Sequence, residues 1–310
     1  MNGKIGFRGL ISALALMSMA ILGACSPESP KVVPRPEPKQ EKVVNTDTKL
    51  AFNPRVDILF VVDDSGSMEN HQANLAMNIK QFVGSLQNNR ILDYHIGVIT
   101  TSMGNIWGPS PSGRLVGRSV MFVTRRTPDG LRELESNLRV GIDGSPTEMF
   151  FDPLLTGHNK GFYRPEAHLA IVFITDTEDQ SEKETADSIA SFLFGLKQGQ
   201  KDKVFVYAAY VSAKEMGCQR DDEQKGYLER FFVLTGAKTF SLCSPVFGQK
   251  LGAVGDDLVQ RVGRFMYLSR APLVDTIHVT YGTQVIPNDA DKGWIYDPVR
   301  NALLLGSDID

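Results

Sequence analysis

Residues 58–70, from Ile58 to Asn70, read ILFVVDDSGSMEN. The run VDILFVV, Val56 to Val62, is apolar and rich in β-branched and aromatic residues, as suits a strand covered on both faces. It stops at two aspartates, Asp63 and Asp64, followed by Ser65 and Ser67 on either side of Gly66. From Met68 to Leu86 the spacing becomes helical, with Leu75, Ile79, Phe82, Val83 and Leu86 able to share a face. Asp63, Ser65 and Ser67 lie two apart, so a turn that curls around a point aims all three inward. In open α/β sheets such strand-to-helix turns are where ligands sit.

The rest of the chain repeats the alternation. Asp93–Thr100 (DYHIGVIT) reads as a second strand, His168–Thr175 (HLAIVFIT) as a central one, Lys203–Val211 as another and Thr239–Leu242 as a short one. Helical patterns fall at Asp129–Leu138, Ser145–Leu155, Glu182–Leu196, Gln224–Thr235 and Leu251–Leu268. Ser145, with Pro146 behind it and Glu148 three residues on, reads as a reciprocal capping box. This order predicts an α/β fold with a mostly parallel central sheet and helices on both faces. Residues 102–118, Gly/Pro/Ser-rich, form a long loop containing Trp107 (an exposed contact or a plug under the loop), with a short hairpin around Leu115–Phe122. From Pro272 the texture shifts to short alternating runs with glycine turns, a small antiparallel β appendage at the C-terminus.

The strand His168–Thr175 ends in Asp176-Thr177-Glu178-Asp179, which brings a second carboxylate to the edge where Asp63 lies. Hard oxygens carrying few charges suit Mg²⁺, which prefers octahedral geometry at about 2.0–2.1 Å and keeps waters. The five histidines are scattered, without metal-ligand spacing. Asp63-x-Ser65-x-Ser67, set between VDILFVV and the helix opened by Met68, and joined by IVFITD at a later strand, resembles the metal-ion-dependent adhesion site of the von Willebrand factor A family. The resemblance covers about Pro54 to Arg270.

The resemblance implies a metal set of Asp63, Ser65, Ser67, a second-loop hydroxyl and Asp176. Gly144-Ser145-Pro146-Thr147-Glu148 stands at the second loop. Thr147 is the residue of the expected type there, with Ser145, directly after the glycine, as its substitute or a plain helix cap. The serines and the second-loop hydroxyl would touch Mg²⁺ (or Mn²⁺) directly, and the two aspartates would hold it mainly through water. An ion so sparsely neutralised accepts an Asp or Glu side chain from a protein partner. Asp64 would face solvent or orient a water. The acidic run Glu178, Asp179, Glu182 and Glu184 reads as a solvated loop leading into a helix start, or as part of a separate Ca²⁺ site using Glu178 and Asp179.

The N-terminus carries a different signal. Lys4 and Arg8 precede an apolar stretch from Leu10 to Gly23, shorter than the roughly 20 residues a spanning helix needs. Leu22-Gly23-Ala24-Cys25 resembles the lipobox of bacterial lipoproteins, which implies cleavage before Cys25, lipidation of its sulfur and acylation of the new N-terminus. Ser26 at the next position implies an outer-membrane destination, with several acyl chains for firm anchoring. The alternatives are an uncleaved anchor helix or an ordinary secretory peptide. Residues 26–50, with five prolines and many charges, form a tether. In an exported chain the two remaining cysteines, Cys218 and Cys243, read as one disulfide, or as two buried free thiols. The expected organisation is thus a leader over 1–24, a tether over 25–50, the main domain over 51–270 and a β-rich extension over 271–310.

With 310 residues, 42% of them hydrophobic, the chain can bury one large core. A formal charge of -3, with no long basic run, gives no reason to expect nucleic-acid binding. The sequence has no G-x-S-x-G elbow, phosphate loop or H-E-x-x-H helix. It reads as a binding or adhesion module of the cell envelope and not as an enzyme. The alternative is an envelope assembly or scaffold protein whose metal site is structural or unused.

Overall fold

A computed structural model of the chain describes residues 54–89, 92–103, 113–117, 119–145, 147–156, 162–212, 218 and 226–306. The leader, Cys25, the tether and Trp107 lie outside the described residues. The strand read from Val56 is β1, Arg55–Val62, and seven of its eight residues are buried. Alternation along it serves both faces at once. Val56, Ile58, Phe60 and Val62 enter one core with Leu75, Ile79 and Phe82 of α1 (Glu69–Asn88), Leu134 of α2 (Gly130–Leu138) and Leu251 and Leu258 of α6 (Phe247–Gly263). Leu59 and Val61 enter the other, with Leu154 of α3 (Asp152–Thr156), Ile189 and Leu193 of α4 (Ala186–Leu196) and Phe231 of α5 (Tyr227–Thr235).

The six-stranded sheet runs β3-β2-β1-β4-β5-β6, with β2 at Asp93–Thr100, β3 at Phe122–Thr124, β4 at His168–Thr175, β5 at Val204–Tyr210 and β6 at Lys238–Ser241. All neighbours are parallel except β2 and β3. The α/β fold with a mostly parallel sheet and helices on both faces is the one expected, and it is consistent with a von Willebrand factor A-like arrangement. Strand order reverses between β1 and β4, so the crevice beyond their carboxyl ends is the topological switch point. Register places Val62 beside Thr100 on one flank and Ile174 on the other. The next residues, Asp63, Thr101 and Thr175, therefore leave the sheet side by side.

Three elements differ from the sequence reading. Residues 145 and 147–151 are not helical, and α3 begins only at Asp152. Their backbone groups are taken elsewhere: Met149 N donates to Thr101 O (3.1 Å), and Phe150 N donates to Asp179 Oδ1 (2.7 Å). Among the described residues of 115–122 there is no separate hairpin; β3 is an edge strand laid antiparallel on β2. The last long helix ends at Gly263, and Phe265–Tyr267 becomes β7, paired with β11 (Ala302–Leu305). Cross-strand packing of β-favouring residues overrides helical continuation there.

The antiparallel appendage is present as sheet β10-β11-β7, with β10 at Trp294–Asp297, beside the two-stranded hairpin β8 (Val279–Tyr281) and β9 (Gln284–Ile286). Ile286, Trp294 and Leu303 form its small core, and Trp294 Nε1 donates to Ile286 O at 3.0 Å. It is tied to the main sheet through Asp202, which accepts from Tyr267 Oη (2.8 Å) and Arg300 Nε (3.0 Å). Cys218 and Cys243 are joined in a disulfide, linking the segment after β5 to the residues just past β6. No helix among the described residues is long and apolar enough to cross a membrane.

Candidate metal centre

The turn after β1 is built by Asp63 itself. Its Oδ1 accepts from Ser65 N at 2.9 Å and its Oδ2 from Thr175 Oγ1 at 2.8 Å, so one carboxylate fixes the loop and ties it to the end of β4. Gln72, in the first turns of α1, donates to Asp63 O (2.9 Å) and Gly141 O (2.7 Å), which holds the start of the second loop against the first. A tight turn over Gly66–Met68 then presents Ser65 and Ser67 together, their hydroxyls 3.1 Å apart. Ser67 Oγ donates to Asp176 Oδ1 at 3.1 Å, closing the group across the crevice. Asp63, Ser65, Ser67 and Asp176 thus converge at the switch point, with the two aspartates 0% and 4% exposed.

The second loop is arranged differently from expectation. Ser145 caps no helix. Its Oγ accepts from Thr147 N (3.1 Å), and its own N donates to Ser102 Oγ (2.7 Å). Thr147 is half-buried. The loop approaches the site through Gly144, whose N donates to Asp64 O at 3.0 Å. Glu148, read from sequence as a capping partner, is only 2% exposed and accepts a hydrogen bond from Thr101 Oγ1. Asp64 does not face solvent. It is 1% exposed, and its Oδ1 accepts from Thr101 Oγ1 (3.2 Å) and Ser102 Oγ (2.9 Å).

Glu178 and Asp179 are neither solvated nor turned to a cation. Glu178 accepts from Leu228 N (2.8 Å) and Gly226 N (3.1 Å) at the start of α5, and Asp179 accepts from the backbone of Phe150 and Ser181 and from Ser181 Oγ. Backbone donors use the oxygens that a separate Ca²⁺ site would need. Their burial at the crossing of the second and third loops makes them braces for the site.

Among the described residues no three His, Cys, Asp or Glu side chains have metal-ligating geometry. The centre is instead hydroxyl-rich, as a hard-cation site with few direct carboxylates would be. Its electrostatics fit a cation. Burial raises the pKa of Asp63 to about 7, against the hydrogen bonds from Ser65 and with added repulsion from Asp176. Burial raises Glu148 to about 9, helped by Asp63, Asp64 and Asp176. Burial also raises Asp64, despite the hydroxyls of Ser102 and Thr101. Asp64 Oδ2 and Glu148 Oε1 are buried with no hydrogen-bond partner among the described residues. Crowded carboxylates with orphaned oxygens are the donor set that a divalent ion relieves.

Two predictions arise here. A carboxylate whose pKa is raised by folding holds its proton where the unfolded chain has lost it, so stability falls as pH rises through the folded value. With divalent ions chelated, the melting temperature should drop between about pH 6.5 and about pH 8, as Asp63 ionises in the folded chain and Glu148 still holds a proton that the unfolded chain has lost. That window avoids two opposing groups: buried neutral His168, pushed down to about 4 from 6.5, acts below it, and buried Lys197, pushed down to about 8, acts above it. Mg²⁺ prefers the ionised carboxylates and should flatten or invert this slope, as melts across that range will show. The second prediction concerns Gly144, where a Cβ would stand 2.5 Å from Asp64 Cγ and 2.6 Å from Asp64 O. Gly144→Ala should cost roughly 1–3 kcal/mol in denaturant unfolding by overpacking, and it should weaken cation uptake by displacing the second loop.

No family model matches the sequence, and no curated protein does. Among solved structures the chain is similar to proximal thread matrix protein 1 of the mussel byssus, at 11% identity over 69% of this chain and 50% of that one, with a TM-score of 0.42. Another structure of that protein, described as having a zinc-occupied MIDAS motif, aligns at 15% identity over 67% of this chain and 45% of that one, with a TM-score of 0.38. The pilus adhesin SpaC of Lactobacillus rhamnosus GG, in its open conformation, aligns at 14% identity over 82% of this chain and 37% of its own, with a TM-score of 0.43. The chain spans half or less of the length of these proteins.

Proposed function

We propose that this chain is a von Willebrand factor A-type binding module of the bacterial cell envelope, lipid-anchored through Cys25, that captures a protein partner by an Asp or Glu side chain. The observation that carries the reading is the convergence of Asp63, Ser65, Ser67 and Asp176 at the switch point, closed by the Ser67–Asp176 hydrogen bond. Mg²⁺, when bound there, would supply a charge-dense centre able to take an incoming carboxylate. Ser65 and Ser67 would hold it by their hydroxyls, with Thr147 as the second-loop donor and Ser145 as its substitute. Asp63 anchors the turn through Ser65 N and orients its serines, and Asp176 holds Ser67 from the far wall. Gln72 and Thr175 keep Asp63 in place, so the donors are positioned before a cation arrives. Nothing in the donor set pairs a nucleophile with a base, so the reading is binding without catalysis. The outer-membrane location rests on the lipobox and Ser26 alone.

The test is capture from envelope extracts by the immobilised full chain, with and without chelator. Capture should need Mg²⁺, be competed by a glutamate-bearing peptide, and be lost in Asp63→Asn. Capture indifferent to chelator and to that substitution would favour the scaffold reading, in which the site is structural or unused.

A further inference from the structure

The C-terminal appendage has an apolar core of its own, separate from the two cores that flank the main sheet. A single residue, Arg264, lies between α6 and β7, so the appendage hangs on a short connection. It is fastened to the domain by a polar and aromatic seam at the end of the sheet opposite the metal centre, and a buried histidine sits in that seam. We propose that protonation of His168 unlatches the appendage, which makes the seam an acid-sensitive hinge.

His168 opens β4 and is 5% exposed. Its ring stacks on Phe205 of β5, with centroids 5.5 Å apart and planes 11° apart, and Tyr267 of β7 lies beside it at 6.2 Å. Nδ1 is 3.3 Å from the carbonyl oxygen of Arg55 on β1. A carbonyl only accepts, so Nδ1 carries the ring proton. Nε2 is then a bare acceptor, buried and without a hydrogen-bond partner among the described residues. A proton arriving there brings a charge and a donor into a place that has no acceptor for either.

The charges around the ring do not help it. Lys203 and Asp202, just before β5, and Lys197, just after α4, all act on it, two cations against one acid. Asp202 is already engaged from the appendage by Tyr267 Oη and Arg300 Nε, and Lys203 Nζ stands 4.3 Å over the Tyr267 ring. From α6, Arg261 lies 5.2 Å over Phe205 and pairs with Asp257, while the Arg55 guanidinium turns to Glu166. Burial, with Lys203 and Lys197, pushes His168 down to about 4 against the Arg55 carbonyl and Asp202. Swinging β7 away uncovers the ring to water and returns it towards its ordinary 6.5. The open form therefore binds the proton more readily, so docking is complete above about pH 6.5 and weakens as pH falls towards 4. At about pH 5 the linkage amounts to roughly a 30-fold shift towards the open form. This inference goes beyond the binding function and does not depend on it.

The test is amide hydrogen exchange of the full chain at about pH 7.5 and about pH 5, corrected for the intrinsic pH dependence of exchange. Protection of β7, β10 and β11 should fall roughly 30-fold at the lower pH while β1 and β2 keep theirs. His168→Phe, which preserves the stack but cannot be charged, should abolish the fall. His168→Gln, uncharged and still able to donate to the Arg55 carbonyl, serves the same purpose should the phenylalanine variant misfold. Unchanged protection of β7 and β11 in the natural chain, an equal loss in β1 and β2, or a fall that persists in a folded His168 variant would overturn the proposal.

Discussion

Replacing Arg164 with alanine should destabilise the domain by about 3–5 kcal/mol, the usual cost of stranding one member of a buried ion pair. Its partner, Asp57, is fully buried at the start of β1. Arg164 Nε donates to Asp57 Oδ1 at 2.8 Å and Arg164 N to Oδ2 at 2.6 Å, while Nη1 reaches Asp93 Oδ2 at 2.8 Å. Lys197 Nζ donates to Arg164 O at 2.7 Å, so the same arginine also anchors a buried lysine. Burial still pushes Asp57 upward despite these contacts, and without the guanidinium that penalty stands alone. Denaturant unfolding of Arg164→Ala will read the loss. The variant Asp57→Asn/Arg164→Met, which removes both charges, should recover much of it, because the cost lies in the unpaired acid and not in missing volume. This cluster sits at the opposite end of the sheet from the metal centre, so cation affinity in the folded variant should not change.

The second large effect is at Asp63. Asp63→Asn keeps the side-chain volume and the acceptor for Ser65 N but removes a fully buried charge. Mg²⁺ affinity should fall by roughly 10–100-fold, the range seen when a group that positions metal ligands is lost. Stability in chelator should stay level or rise at pH 8, because the ionised carboxylate repels Asp176. Loss of affinity together with gain of apo stability separates a ligand-holding role from a merely structural one. A structural aspartate would lower both.

What was legible in the sequence was local. Asp63, Ser65 and Ser67 occupy one turn, and Asp176 ends the most apolar strand, so strand boundaries alone place them at one edge. Glu148, Asp64, Thr101 and Ser102 depend on parallel register and on the path of a loop. Thr101 stands by Asp64 only because Val62 pairs with Thr100, a relation between segments 38 residues apart. The hydroxyls ending β2 and β4 were available as a signal once both strands were drawn parallel to β1. Glu148 was hidden by its neighbours, since S-P-T-E is also a helix start, and backbone donors at 149–151 bonded to Thr101 and Asp179 decided otherwise. The pair Asp57–Arg164 was invisible for a similar reason, being a contact across 107 residues.

Equilibrium dialysis of Mg²⁺ against the folded full chain at pH 8, beside Asp63→Asn, tests the central claim most directly. The account predicts saturable uptake by the natural chain and one equivalent less in the variant at the same free Mg²⁺. Folded protein that binds no Mg²⁺, or a variant that binds as much as the natural chain, would contradict it.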